Sequence, residues 1–295
     1  MRTCKLLLIL MCATLFFACQ SQTSPQGQEE VKVKKNIGIQ LYSLRDDIKK
    51  DFDGTIKALG EMGYTEVEAA GYGDGKFYDL SPADYKKAIE DAGMRMVSSH
   101  TGGPKMDFKK ADKSEAWEWW DQCIAAHKEA GASYVVVPYM RTPEKLDELK
   151  LYCDYYNEVG KKCNDAGLRF GYHNHDFEFK KIEDKVMYDF MLENTNPELV
   201  FFQMDVYWTV MGGKSPVEYF EKYPGRFEML HIKDEKELGE SGMVGFDAIF
   251  KNIKTAGAKH LVVEVERYSY EPKESVKRSL EYLNNASFVE PDYSK

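Results

Sequence analysis

The order of hydrophobic patterns along the chain predicts an α/β fold, a (β/α)₈ TIM barrel that occupies residues 36–290 as a single domain. Three observations carry this reading. From Asn36 onward, short β-branched or aromatic runs alternate eight times with longer segments whose apolar residues recur at helical spacing. No interruption between these units is long enough for another domain. An open doubly wound sheet would carry a glycine-rich turn after its first strand, but the chain there reads Gln40-Leu41-Tyr42-Ser43-Leu44-Arg45, with no glycine to cradle a pyrophosphate. Walker-type phosphate loops and GxSxG elbows are likewise missing from the sequence.

Taken in order, the strands are expected at Ile37–Ser43, Glu66–Ala70, Met94–Ser99, Tyr134–Pro138, Arg169–His173, Val200–Val206, Glu228–Ile232 and Leu261–Glu266. Helices are expected to start near Phe52, Pro82, Ser114, Pro143, Val186, Pro216, Phe246 and Pro272. Ser81-Pro82, Thr142-Pro143, Ser215-Pro216 and Glu271-Pro272 place proline at or near the first helical position, where its missing N–H costs no bond. Gly63, Gly93, Gly131 and Gly167 stand where helices should stop before the next strand. Trp117, Trp119 and Trp120 have helical spacing and read as packing surface.

Before the barrel, residues 1–18 place Arg2 and Lys5 ahead of an apolar run that contains no acid, the pattern of a signal peptide. The run ends in Phe16-Phe17-Ala18-Cys19, which resembles a bacterial lipoprotein processing site, with Cys19 as the residue that would be lipidated. Residues 19–35 carry Gln, Ser, Pro and charge with little to bury, and read as a flexible tether. Residues 291–295 form a short C-terminal tail. The expected address is therefore outside the cytoplasm, in the periplasm, with the membrane touched through the lipid anchor only. Cys123, Cys153 and Cys163 lack CxxC spacing and read as buried free thiols.

The chain of 295 residues is 43% hydrophobic, enough for one large core, and its formal charge of −9 argues against a nucleic-acid surface. In a barrel of this class chemistry gathers at the C-terminal ends of the strands. Those ends carry Glu68, His100, His173-Asn174-His175, Asp205 with Tyr207-Trp208, His231 with Lys233-Asp234, and Glu264 with Glu266. Four of the six histidines fall there. Imidazoles and carboxylates converging from several strands suit a divalent ion such as Mn, Mg, Co or Zn. Such an ion could polarise a sugar carbonyl while a neighbouring base removes the adjacent proton.

The strings Gly171-Tyr172-His173-Asn174-His175-Asp176-Phe177-Glu178-Phe179, Met204-Asp205-Val206-Tyr207-Trp208, Leu230-His231-Ile232-Lys233-Asp234 and Val262-Val263-Glu264-Val265-Glu266 resemble the xylose isomerase-like TIM-barrel superfamily, the sugar phosphate isomerase/epimerase group. The resemblance implies a metal held at the ends of strands 5 to 8, in family epimerases by Glu, Asp, His and Glu. Matched by position these are His173, Asp205, His231 and either Glu264 or Glu266, with Glu264 preferred. Glu178 is a substitute ligand should His173 not serve. The departure is His173, which stands where the epimerases have a glutamate that also moves protons.

That replacement makes single-face proton removal followed by loss of a β-leaving group, the dehydratase type, as accessible as isomerisation or epimerisation. Glu264, Glu266, His173 and Lys233 are the candidate catalytic groups; Lys233 could instead pair with Asp234. Glu68, His100, His175, Trp208 and Tyr42 are candidates for contact with the sugar, Trp208 through its indole face. Few Arg or Lys residues stand near the last two strand ends, so a non-phosphorylated sugar or keto-sugar is expected as the small-molecule partner. The reading from a different class is a lipid-anchored sugar-binding protein without catalysis. Oligomeric state is not fixed by the sequence.

Overall fold

Eight short strands pair in parallel: β1 (Gly38–Gln40), β2 (Glu66–Ala69), β3 (Arg95–Ser99), β4 (Tyr134–Val137), β5 (Arg169–His173), β6 (Val200–Asp205), β7 (Met229–Lys233) and β8 (His260–Glu264). The chain is described here by a computed structural model over residues 34–104, 107–108 and 112–294. The expected leader, Cys19 and all but the last two residues of the tether lie outside the described residues. Seven strand interfaces form full ladders, in the order β3-β2-β1-β8-β7-β6-β5-β4. The eighth, between β3 and β4, closes the barrel with a bridge between His100 and Val136, a Thr101 N–H to Val136 O bond of 2.8 Å and a Ser133 N–H to Val97 O bond of 3.0 Å. The expected (β/α)₈ barrel is thus formed.

The eight covering helices are α1 (Phe52–Met62), α2 (Pro82–Asp91), α3 (Ser114–Glu129), α4 (Leu146–Asp165), α5 (Met187–Asn194), α6 (Pro216–Lys222), α7 (Phe246–Lys251) and α8 (Pro272–Asn285). Asp51, Ser81 and Ser215 cap α1, α2 and α6 by accepting the N–H of Gly54, Asp84 and Glu218. The four glycines expected to stop helices all take positive φ, from 77° to 110°. One proline does not open a helix: α4 begins at Leu146, because Lys145 is still extended and Pro143 is buried before it. Five strands end one to three residues earlier than expected, β8 at Glu264 rather than Glu266, and two of them do so for visible local reasons. The Gln40 side chain accepts the Tyr42 N–H at 3.0 Å, turning β1 into a 3₁₀ turn over Leu41–Leu44, and Asp205 ends β6 by capping the short helix Val206–Met211.

Two apolar cores result. The larger lies between strands and helices and contains Trp120, whose Nε1–H donates to the Tyr155 hydroxyl, with Trp117 and Trp119 half-buried against it. The three expected free thiols are buried there. The smaller is a disc inside the barrel, made by Val97, Tyr134, Val136, Phe201, Met229 and Val262. Phe201 fits this disc because Gly171 faces it: a Cβ on Gly171 would come within 2.5 Å of the Phe201 ring. Below the disc, Glu66 binds His260 Nδ1 at 3.0 Å and also pairs with Arg95, closing the N-terminal end with charge pairs. Among the described residues, no helix is long and apolar enough to cross a membrane.

Behind β3, His127 is fully buried, donating Nδ1–H to the Cys123 carbonyl at 2.7 Å and accepting from Ser99 at its other nitrogen. Burial pushes its pKa down to about 4. A histidine kept neutral when folded, but titrating near 6.5 when unfolded, contributes stability above pH 6.5 that is lost as the pH falls toward 4. Urea titrations from pH 7 to 4 should show the protein losing about 3 kcal/mol that His127→Phe does not lose, at about 1.4 kcal/mol per pH unit; parallel curves would remove His127 as the cause. Gly171→Val should cost about 1–3 kcal/mol through overpacking against Phe201, measured by the same titration at pH 7.

Candidate functional site

Strand register assembles the upper layer of the barrel. The pairings Gln40↔Glu68, His173↔Gln203, Asp205↔His231 and Lys233↔Glu264 set these residues level on adjacent strands. A register shift after Val67 brings Ser98 opposite Glu68. Because side chains alternate across a strand, each of these groups points toward the barrel axis above the apolar disc.

Glu68 lies deepest and is fully buried. One oxygen accepts from Gln40 Nε2 at 2.7 Å and meets His231 Nε2 at 2.6 Å and His100 Nε2 at 3.0 Å. The other accepts from Gln203 Nε2 at 2.7 Å and Ser98 Oγ at 2.5 Å. Burial alone would raise the Glu68 pKa, but His100 and His231 hold its carboxyl well below the usual range. The structure therefore moves Glu68 from the expected substrate contact to the floor, where its lone pairs are taken. His100, half-buried, is tied to that floor through Glu68 and through a 2.7 Å bond to Gln203 Oε1.

Above it, the ligand atoms of Asp205, His231 and Glu264 lie within 4.8 Å of one another, and those of His100, His173 and His231 form a second such group. His173 Nδ1 bonds to Gln203 Oε1 at 3.0 Å while its Nε2 stands 4.0 Å from Asp205 Oδ2. Asp205 Oδ1 accepts the Trp208 N–H at 2.9 Å, but its Oδ2 is buried without a partner, and burial pushes this carboxyl up to about 7. His231 has a carboxylate on each side, Glu68 at 2.6 Å and Glu264 at 3.3 Å. Burial opposes its charge, yet these carboxylates raise its pKa to about 10.

Lys233 Nζ sits 3.1 Å from Glu264 and 2.7 Å from Glu266. Although burial disfavours its charge, Glu264, Asp205 and Glu266 raise its pKa and keep it an ammonium. It does not pair with Asp234, whose oxygens instead accept from the N–H groups of Glu235 and Gly239 and from the Ser241 hydroxyl, holding the loop after β7. Glu264 is buried in the cluster, held well below the usual carboxylate range by Lys233 and His231 against the effect of burial. Glu266 lies at the rim with its side chain 32% exposed.

The rim is aromatic. Trp208 and His175 lie 5.8 Å apart, ring to ring, and Trp208 Nε1 and His175 Nδ1 are both buried without partners. Tyr139 is 59% exposed and lies edge-on to His175, and Tyr42 is exposed beside Arg45. Glu178 is not brought to the ligand cluster. Its carboxylate accepts from the Tyr172 hydroxyl at 2.7 Å and the His175 N–H at 2.8 Å, and burial raises its pKa to about 7. Gln203, Ser98 and Gln40 are not singled out from the sequence. Gln203 had a legible signal: a polar residue two before Asp205 on one strand must share its inward face.

Residues 56–286 match the family described as xylose isomerase-like TIM barrel. A solved sugar phosphate isomerase/epimerase from Parabacteroides distasonis ATCC 8503 is 37% identical with a TM-score of 0.79, covering 87% of this chain and 100% of that one. Inosose dehydratase from Geobacillus kaustophilus (strain HTA426) is 22% identical over 199 residues, 62% of this chain and 61% of that protein. The chain thus spans about three-fifths of the length of that relative. The IOLI protein, solved with a bound zinc atom, shares the fold at 16% identity and a TM-score of 0.68, covering 88% of this chain and 100% of that one.

Removing the Lys233 ammonium strands several carboxylates in a buried site. Lys233→Met should destabilise the protein by about 3–5 kcal/mol at pH 8 in urea unfolding, with the loss shrinking toward pH 5 as the carboxyls take up protons. An unchanged midpoint at pH 8 would show that the pairings contribute no net stability.

Proposed function

Because the chain belongs to the xylose isomerase-like TIM-barrel family, a group of sugar isomerases, epimerases and dehydratases, we propose that it is a divalent-metal-dependent enzyme that removes the proton beside the carbonyl of a non-phosphorylated keto-sugar. The observation that carries this reading is the orphaned Asp205 Oδ2, buried within reach of the donor atoms of His231 and Glu264 and 4.0 Å from His173 Nε2. A buried polar atom without a partner is costly, and two carboxylates with imidazole nitrogens form a fitting donor set for Mn, Co or Zn. Asp205, His231, Glu264 and His173 would hold the ion. When bound, it would polarise the sugar carbonyl and so acidify the neighbouring C–H.

The side chains of the chain itself do the rest. Glu266, the partly exposed carboxylate at the mouth, takes the proton from the carbon beside the carbonyl, and the C–H electron pair moves toward the carbonyl oxygen. Lys233, 2.7 Å from Glu266, balances its negative charge. The proton held on Glu266 then passes to a β-hydroxyl on the same face, which leaves as water with its bonding pair, giving an unsaturated ketone. One carboxylate serves first as base and then as acid, and His173, tied to Gln203 and turned to Asp205, puts no second carboxylate across the ring. This supports loss of water over epimerisation, which wants proton carriers on both faces.

The indole N–H of Trp208 and Nδ1 of His175 are buried beside the mouth without protein partners, and exposed Tyr139 and Tyr42 offer apolar rings there. Lys233 is engaged by two glutamates, and Arg45 already donates to the Tyr42 carbonyl and the Tyr268 hydroxyl. Lys233 is therefore not free for a phosphate. That supports a neutral sugar, as does the exported address proposed from the leader.

Elemental mass spectrometry of the purified protein should find about one equivalent of Mn, Co or Zn, lost in both Asp205→Ala and His231→Ala. The parent should exchange the α-proton of a keto-inositol or keto-hexose with deuterium and release water, and Glu266→Gln should slow this on the order of 100-fold with the metal retained. A folded parent that takes up no ion would overturn the metal reading and leave the non-catalytic sugar-binding protein in its place.

A further inference from the structure

Gln203 lies beneath the ligand cluster, fully buried, and its amide joins more of the cluster than any other neutral side chain described above. Its Nε2 faces Glu68 Oε2 at 2.7 Å. An ionised carboxylate only accepts, so the NH₂ end of the amide must point at Glu68 and the oxygen must point the other way. That oxygen lies 2.7 Å from His100 Nε2 and 3.0 Å from His173 Nδ1. An amide oxygen also only accepts, so both ring nitrogens must carry the proton. For His173 the consequence is definite: with Nδ1–H donated downward, the lone pair of the neutral ring is on Nε2, the atom 4.0 Å from the unpartnered Asp205 Oδ2.

We propose that Gln203 is a positioning residue that sets the tautomer of His173: Glu68 fixes which way the amide faces, and the amide fixes which imidazole nitrogen is turned to Asp205. The inference rests on the metal reading for its purpose but not for its geometry. Glu68 holds His231 Nε2 at 2.6 Å in the same way, leaving Nδ1 on the side of Glu264. One carboxylate and one amide therefore orient the rings of three histidines from below. The amide is suited to the task because it carries no charge and cannot titrate, so the direction of its dipole is set by the acceptors at its NH₂ end, Glu68 and the Met229 sulfur. Ligating histidines commonly donate their second nitrogen to a carboxylate or carbonyl oxygen, and removing such a partner weakens metal binding.

The first test uses the full chain without added metal. Long-range ¹H–¹⁵N spectra at pH 7.5, assigned by loss of the signal in His173→Gln, should show His173 as the Nδ1–H tautomer. The Nε2–H form would overturn the proposal. The second test compares Co²⁺ and Zn²⁺ affinity by chelator competition in Gln203→Met and Gln203→Glu. Gln203→Met should weaken binding on the order of 10- to 100-fold, with an altered visible spectrum of the Co²⁺ form. Gln203→Glu keeps an acceptor for His173 but sets a second carboxylate against Glu68. It should restore the Nδ1–H tautomer if it folds, a rescue that a simple packing role would not give. Parent-like affinity and spectrum in Gln203→Met would overturn the proposal. A parent with the expected tautomer that binds neither ion would instead count against the metal reading alone.

Discussion

The Glu68 carboxylate is the constraint on which the upper half of the barrel depends. A carboxylate with no exposure to water is among the most expensive groups to bury, and it is tolerated here because five donors from four different strands close on it. Gln40 comes from β1, His100 and Ser98 from β3 and its end, Gln203 from β6 and His231 from β7. Strands far apart in the chain are thereby held at one height. A slip of one residue in any of them would turn its donor to the outer face and leave Glu68 short of a partner.

Charge is arranged in two tiers above that floor. Lower down, His231 stands between Glu68 and Glu264, and higher up Lys233 stands between Glu264 and Glu266. Carboxylates and cations alternate from the axis to the mouth, and each held charge lowers the cost of the next. Asp205 is the member that this alternation leaves incomplete. One of its oxygens is spent on ending β6 and starting the next helix, and the other has no donor at all. A group that is both a structural cap and an unfilled acceptor is strongly fixed in place yet chemically open.

Much of this was legible in the sequence, and the gaps have physical causes. Strand ends were readable because the periodicity switches there and polar residues interrupt apolar runs, so Asp205, His231, Lys233 and Glu264 were found. The depth of each group was not, because depth depends on barrel shear and register between strands far apart in the chain, 163 residues for Glu68 and His231. Glu68 therefore looked like a substrate contact. Adjacency offered Asp234 as an alternative partner for Lys233, whereas the pairing that forms is across the ladder to Glu264. Pro143 carried the right helix signal three residues early, since Lys145 stays extended before α4. Gln203 escaped notice because amides carry no charge and belong to no metal or acid–base pattern.

The apolar disc of Val97, Val136, Phe201, Met229 and Val262 has a consequence for how such a protein can change over time. It separates the charged plug at the bottom, Glu66 with Arg95 and His260, from the polar tier at the top, as an insulator separates two conductors. The disc keeps the two sets of polar side chains out of hydrogen-bonding reach of each other, so the lower plug serves the fold and the mouth serves the site. A lineage built on this frame can change what its rim receives while the foundation drifts on its own schedule.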